Sequence, residues 1–178
     1  MRLLLILSVA FYSCSNDPKE LKEFIHPENN IPVEKIESAR ILHTENGVLK
    51  VEIIAKTINR FKEVQPQLLL SNGIEIIFYA DSARITSVLK ANNASVNEVN
   101  NIMIASENVV LTSSDGKRLE TDELIWDENK NKVYTDEKVF VITSKEVIEG
   151  KGFTSNPDFT EYSISKIHGI FNFETPTN

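Results

Sequence analysis

Residues 108–153, NVVLTSSDGKRLETDELIWDENKNKVYTDEKVFVITSKEVIEGKGF, restrict the possible folds of this chain more than any other stretch. Short runs of Val, Ile, Leu, Thr, Tyr and Phe alternate there with turn chemistry. The turns fall at Asp115-Gly116, from Asp127 to Asn131 and from Thr135 to Glu137. No 3.6-residue period survives in the runs, so the segment predicts a meander of short antiparallel strands.

The same period of two begins at Ile36. Asn46-Gly47 separates two alternating runs, and both residues tolerate the positive φ that a tight hairpin demands. In the second run Leu49, Val51, Ile53 and Ala55 share one face, while Lys50, Glu52 and Lys56 share the other. Asn72-Gly73 predicts a further turn before a strand over 74–79, with Ile74, Ile76 and Phe78 on one face. Residues 82–92 alternate again, with Ala83, Ile85, Ser87 and Leu89 together, and Asn97 to Asn101 reads as a turn. Gly150 and Gly152 flank Lys151 inside a strand, where glycine marks a bulge or a close backbone approach. Two last strands are predicted over 160–164 and 166–173. The total is ten to thirteen strands and no secure helix beyond a single turn at Lys19 to Phe24.

The first residues read MRLLLILSVAFYSC. An apolar run from Leu3 to Phe11 is far short of the ~20 residues a membrane span needs, and it has the form of a signal-peptide core. Ser13, a small residue, stands directly before Cys14. That is the arrangement of a bacterial lipoprotein, in which residues 1–13 are removed and Cys14 is acylated, palmitate included. Cys14 is the single cysteine, so no disulfide forms within the chain and no cysteine-rich metal site exists. Residues 14–35 then read as the lipidated cysteine and a polar tether, 36–173 as one β domain, and 174–178 as a frayed tail. A length of 178 residues suits one such domain plus a leader.

The net charge is −7, and removing Arg2 with the leader makes the remainder one unit more acidic. Such a domain does not bind nucleic acid by counterion release, and it lacks a polybasic membrane patch. Chemistry-bearing constellations are scarce. His26, His43 and His168 stand apart in sequence, and no metal or cofactor is expected. Gly150-Lys151-Gly152 lacks the features of a phosphate loop, and no nucleophile–base pair is spelled out. Asp81, Glu120, Asp122, Asp127 and Asp158 read as solvated faces rather than a paired acid and base, so no enzyme is expected. Trp126, the lone tryptophan, reads as a core aromatic or as the lining of a lipid groove.

The order of parts in 105–170, an NVVLT strand, then DGKRLETDELIWD, KVYTDEKVFVI and EGKGFTSNPDFTEYSI, resembles the LptC family of periplasmic lipopolysaccharide-export components. The resemblance extends more weakly back to residue 36. It implies an all-β fold, an elongated, twisted antiparallel β-jellyroll or boat-shaped sheet of the OstA-like kind. It also implies a non-enzymatic role, in which lipopolysaccharide is accepted from an inner-membrane ABC exporter and passed to a periplasmic bridge protein of the same fold. The family's acyl chains run through an apolar interior. Leu49, Val51, Ile53, Ile76, Phe78, Ile85, Leu111, Trp126 and Val141 are the residues here expected to line it, with Ser38 at its mouth. Gly47 matches the family's hairpin glycine, with Ala55 and Ile58 following. Gly150, Gly152 and Phe153, with Ser155 and Asn156, match its C-terminal motif, and both motifs lie where partners dock. Related proteins carry an N-terminal transmembrane helix, whereas here a lipid on Cys14 would tether the domain to a membrane, the inner one by analogy.

Two other readings share the pattern. A structural or surface lipoprotein would have a closed β scaffold, and a β-solenoid carbohydrate enzyme would hold two carboxyls about 5–10 Å apart in a cleft. Alternation alone does not separate a closed core from an acyl-binding groove.

Overall fold

The computed structural model describes residues 31–172 apart from 63 and 82. The leader, Cys14, most of the tether and the tail therefore lie outside the described residues. The chain divides into two units, Met1–Ile31 and Pro32–Asn178, and the second holds the whole sheet. Its strands are β1 (Glu34–Glu45), β2 (Val48–Arg60), β3 (Leu68–Tyr79), β4 (Ile85–Ala91), β5 (Asn93–Asn97), β6 (Ile102–Ser113), β7 (Arg118–Asp127), β8 (Lys132–Ile142), β9 (Glu146–Ser155) and β10 (Tyr162–Asn172). All pair antiparallel in the order β1-β2-β3-β4-β6-β7-β8-β9-β10. Strand β5 continues β4 past Asn92, bridging the first half of β3 to the first half of β6. The predicted all-β meander is what the chain adopts, with no helix among the described residues.

Two apolar ladders cross this sheet. One runs Ile41, Ile53, Ile76, Leu89, Leu111, Leu119, Val141, Ile148, each residue opposite the next. The other runs Leu68, Val96, Met103, Trp126, Val133 and on to Ser155 and Tyr162. Between them every strand is irregular at the same level. Ser38 (φ +56) leaves the ladder in β1, and the β2–β3 register shifts between Ala55 and Thr57, opposite Asn72 and Gly73 (φ +67 and +102). Asn92 breaks β4 from β5, Glu107 and Asn108 (φ +65 and +54) bulge from β6, and the shifts continue through β7 and β8 to Gly152 (φ +77) in β9. A bulge inserts a residue, bends its strand and resets which face a side chain meets. Here the bulges form one transverse crease. Asn72, Gly73, Asn108 and Gly152 suit it because Asn and Gly tolerate the left-handed region, and Ser38 and Glu107 adopt it beside them.

The crease doubles one sheet into two facing layers. Strands that are not neighbours then touch. Ser87 Oγ in β4 donates to the carbonyl of Pro157 in the β9–β10 loop at 2.6 Å, and Phe78 of β3 meets Trp126 of β7 edge-on, with centroids 5.4 Å apart. The phase resets also keep apolar side chains inward on both sides of the crease: Val51, Ala55 and then Ile58 in β2, Leu119 and then Leu124 in β7.

Four local expectations change. Asn72-Gly73 and Thr135–Glu137 are crease bulges inside β3 and β8 rather than turns, since positive φ and a short polar sequence serve either purpose. The two predicted last strands are the single strand β10, and β1 begins at Glu34, inside the stretch read as tether. The Asn46-Gly47 hairpin stands as expected, with φ +50 and +79.

Candidate functional site

The two layers do not close equally along their length. At one end the β9–β10 loop folds inward. Phe159, in the left-handed region at φ +55, is fully buried against Phe153 and Tyr162, with centroids 5.5 and 5.4 Å from its own. Asn156 shapes this plug: its side-chain oxygen accepts the backbone N–H of Thr160 at 3.0 Å and of Glu161 at 3.2 Å. In β6, β7 and β8, Leu111, Leu119, Val139 and Val141 likewise have no exposed surface.

Towards β1 the layers part. A cavity of 330 Å³ lies between Ile41 and Ile53 of one layer and Leu68, Leu70, Val96, Met103 and Trp126 of the other. Its walls are predominantly apolar, and its size reaches the lower range of ligand sites. A second cavity of 510 Å³ adjoins it, with Val51 and Phe78 at its base and Glu45, Lys50, Asp81, Glu128 and Asp158 around it. His43, Trp126 and Glu128 line both, so they form the partition. His43 Nε2 stands 3.0 Å from Glu128 Oε1. Among the described residues, the buried side-chain polar atoms without a hydrogen bond are His43 Nε2 and Trp126 Nε1, both in this partition.

The electrostatics follow the geometry. Lys50 was expected on the solvent face, but the β1–β2 register shifts after His43 and Lys50 lines the cavity instead. There it ion-pairs with Asp81, which with nearby Glu45 and Asp158 holds its ammonium above the usual lysine range. On the outside of the same wall Glu52 is buried despite its polar face. The Arg40 guanidinium and then the Tyr79 hydroxyl, donating at 2.8 Å, hold its carboxyl below the usual range, and Glu52 in turn raises the Tyr79 phenol. A buried carboxylate is tolerable only with such partners.

The expected lining residues separate into three groups. Val51, Ile53, Phe78 and Trp126 border the cavities, and Leu49 is half-buried beside them. Ile76, Leu111 and Val141 lie in the solid part of the core. Ile85 and Ser38 lie outside it: a register shift between Phe78 and Tyr79 turns Ile85 to solvent at 44% exposure, and Ser38 sits exposed on the crease. Gly47 is at the tip of the β1–β2 hairpin, and Gly150, Gly152 and Phe153 lie in β9. A Cβ on Gly150 would come within 2.5 Å of Ile164 Cγ2 and 2.7 Å of the Lys166 carbonyl, so this is the close approach its strand position suggested. Sequence reasoning missed Ile41, Leu68, Leu70, Val96 and Met103, although each belongs to an alternating run. It also missed the convergence of His43, Glu45 and Glu128. His43 and Glu45 are visible as a same-face pair, but nothing local ties Glu128 to them.

The chain matches the family model described as "Lipopolysaccharide-assembly, LptC-related" over residues 1–165. No curated protein matches it.

Proposed function

The chain belongs to the LptC-related lipopolysaccharide-assembly family, and from that premise we propose that it is a non-enzymatic carrier that holds lipopolysaccharide acyl chains between its two sheet layers. Membership places the protein in lipopolysaccharide transport in the cell envelope, in a family of transport components. The finer reading rests on one observation, the apolar cavity between Ile41 and Ile53 on one side and Leu70, Met103 and Trp126 on the other. Each methylene moved there from water is worth about 0.8 kcal/mol. An acidic domain gains little from the lipid's phosphates, so the acyl chains supply the affinity.

In this reading an acyl chain enters beside β1 and occupies the apolar cavity. Parting the Phe78–Trp126 and His43–Glu128 contacts joins the two cavities. The lipid comes from an inner-membrane ABC exporter, whose ATP hydrolysis drives the transfer, and leaves to a periplasmic bridge protein of the same fold. The sheet has two edges suited to such docking. Strand β1 is one edge, near the Gly47 hairpin. Strand β10 is the other, beside Gly150, Gly152 and Phe153, with Ile167, Ile170 and Phe171 exposed by half or more. An unpaired edge can accept a strand from another chain. Acylated Cys14 would hold the domain at the membrane.

Site-specific photo-crosslinking in cells tests the proposal. Probes at Ile53 and Trp126 are expected to capture lipopolysaccharide, while probes at Leu119, in the solid core, and at Lys90, on the outer face, capture none. Silence at Ile53 and Trp126 in folded protein would overturn the carrier reading in favour of a closed structural lipoprotein.

A further inference from the structure

The partition between the two cavities has a donor set that lipid binding does not use. His43 and Glu45 project from one face of β1, and Glu128 comes from the β7–β8 turn of the opposite layer. One ligand atom from each lies within 4.8 Å of the others. His43 Nε2 is buried without a hydrogen bond, although Glu128 Oε1 is only 3.0 Å away. The cavity these residues face is lined by four carboxylates, Glu45, Asp81, Glu128 and Asp158. Among the described residues lining it, the one ammonium is that of Lys50, already engaged with Asp81. Lys50 is paired with Asp81, so none of the ion pairs at this cavity engages Glu45 directly.

We infer that His43, Glu45 and Glu128 form a divalent-cation site that staples β1 to the β7–β8 turn across the partition. One imidazole and two carboxylates suit a borderline metal such as Zn²⁺, whereas Mg²⁺ and Ca²⁺ prefer all-oxygen sets. Ligand atoms at about 2.0–2.2 Å from a tetrahedral ion stand closer together than 4.8 Å. The exposed Glu45 side chain, at the hairpin end of its strand, is free to swing in and close that gap. Three protein ligands leave one position open. The consequence is mechanical: with the metal bound, the two layers are tied together at the partition between the cavities. The inference rests on the donor geometry and not on the carrier reading.

Calorimetric titration of the purified protein with Zn²⁺ tests it. The expected result is one saturable site in about the micromolar range, weakened at least about tenfold in His43→Gln and in Glu128→Gln. Glu75→Gln, a carboxylate outside the cavity, is expected to bind as the parent does. Both altered positions are half-exposed, and Glu45→Gln on an exposed side chain supplies a third arm should either variant fail to fold. In hydrogen exchange, Zn²⁺ is expected to slow residues 43–47 and 128–131 together. Absence of saturable binding, binding indifferent to all three glutamine variants, or protection elsewhere in the sheet would each overturn the site.

Discussion

Around Phe159 the interior is solid, and around His43 it is divided by cavities, yet the strands leading to both places carry the same alternation. The ladder from Ile41 to Ile148 runs unbroken from one region to the other. What differs is the material that reaches between the layers. At the solid end a loop inserts Phe159, which meets Phe153 and Tyr162 edge-on. At the divided end Phe78–Trp126 and His43–Glu128 reach across between the layers, and cavities lie on either side of them. Closure in this fold is set by what plugs the doubled sheet, not by the sheet's own pattern.

The largest expected effect separates the two regions by stability. Phe159→Ala removes a side chain with no exposed surface and leaves a void, so it should cost about 3–5 kcal/mol. Ile41→Ala at the divided end borders an existing cavity and should cost less than about 1.5 kcal/mol, below the usual range for buried Ile→Ala. Urea unfolding of the two variants decides it, and similar costs would mean that the cavities are filled in solution.

A smaller loss is expected from Gly150→Ala. Its new Cβ would overlap the Lys166 backbone as well as Ile164, and backbone does not yield as a flexible side chain does. Overpacking of this kind costs about 1–3 kcal/mol. Gly47→Ala meets no atom and carries only the penalty of its positive φ, about 1 kcal/mol. The order of the two melting temperatures is the check. The reverse order would show that the β9–β10 approach relaxes more easily than the β1–β2 turn.

Ile53→Trp sharpens the comparison by separating fold from function. The extra ring has the 330 Å³ cavity to enter, so stability should change by no more than about 1 kcal/mol. Lipopolysaccharide crosslinking from a probe at Trp126 should nevertheless be lost. Retained crosslinking with an unchanged melting temperature would move the acyl chain out of this cavity.

Much of this fold is legible in the sequence. Alternation fixes which residues of β2, β3 and β7 to β9 face inward, and Asn46-Gly47 and Asp115-Gly116 fix hairpins, because these signals act over a few residues. The crease is harder to see. Asn72-Gly73 is written in the same letters as a hairpin turn, and only its pairing with β2 and β5 on either side shows that the strand continues. Ile85 misleads for a related reason, since a one-residue register shift reverses the face of every side chain beyond it. The divided end was not legible at all in its decisive part: His43 and Glu128 come from opposite layers, and their meeting depends on how far the crease folds the sheet.

The smallest expected effect concerns pH, and it touches both regions. Beside the plug, Asp115 holds Lys117, whose ammonium lies 5.8 Å from the centre of the Phe159 ring. The Lys117 ammonium first, and the Ser113 hydroxyl after it, lower the Asp115 carboxyl to about 2. Beside the partition, Lys130 holds the Asp127 carboxyl below its usual range. A depressed carboxylate pKa means that the unfolded chain binds protons first as the pH falls. The stabilisation is therefore complete above the ordinary aspartate value, near about 4, and is lost on going down through the folded value. For Asp115 that window runs from about 4 to about 2. Its side chain is 56% exposed, so solvent screens the pair and the contribution is small. Asp115→Asn should remove part of the acid slope of unfolding in that window while leaving stability at neutral pH little changed. Because Lys117 lies over Phe159, the same variant should loosen amide protection at the plug and not at His43. Equal loosening at both places would mean that the two regions open as one unit, and the comparison drawn here would then hold for structure but not for dynamics.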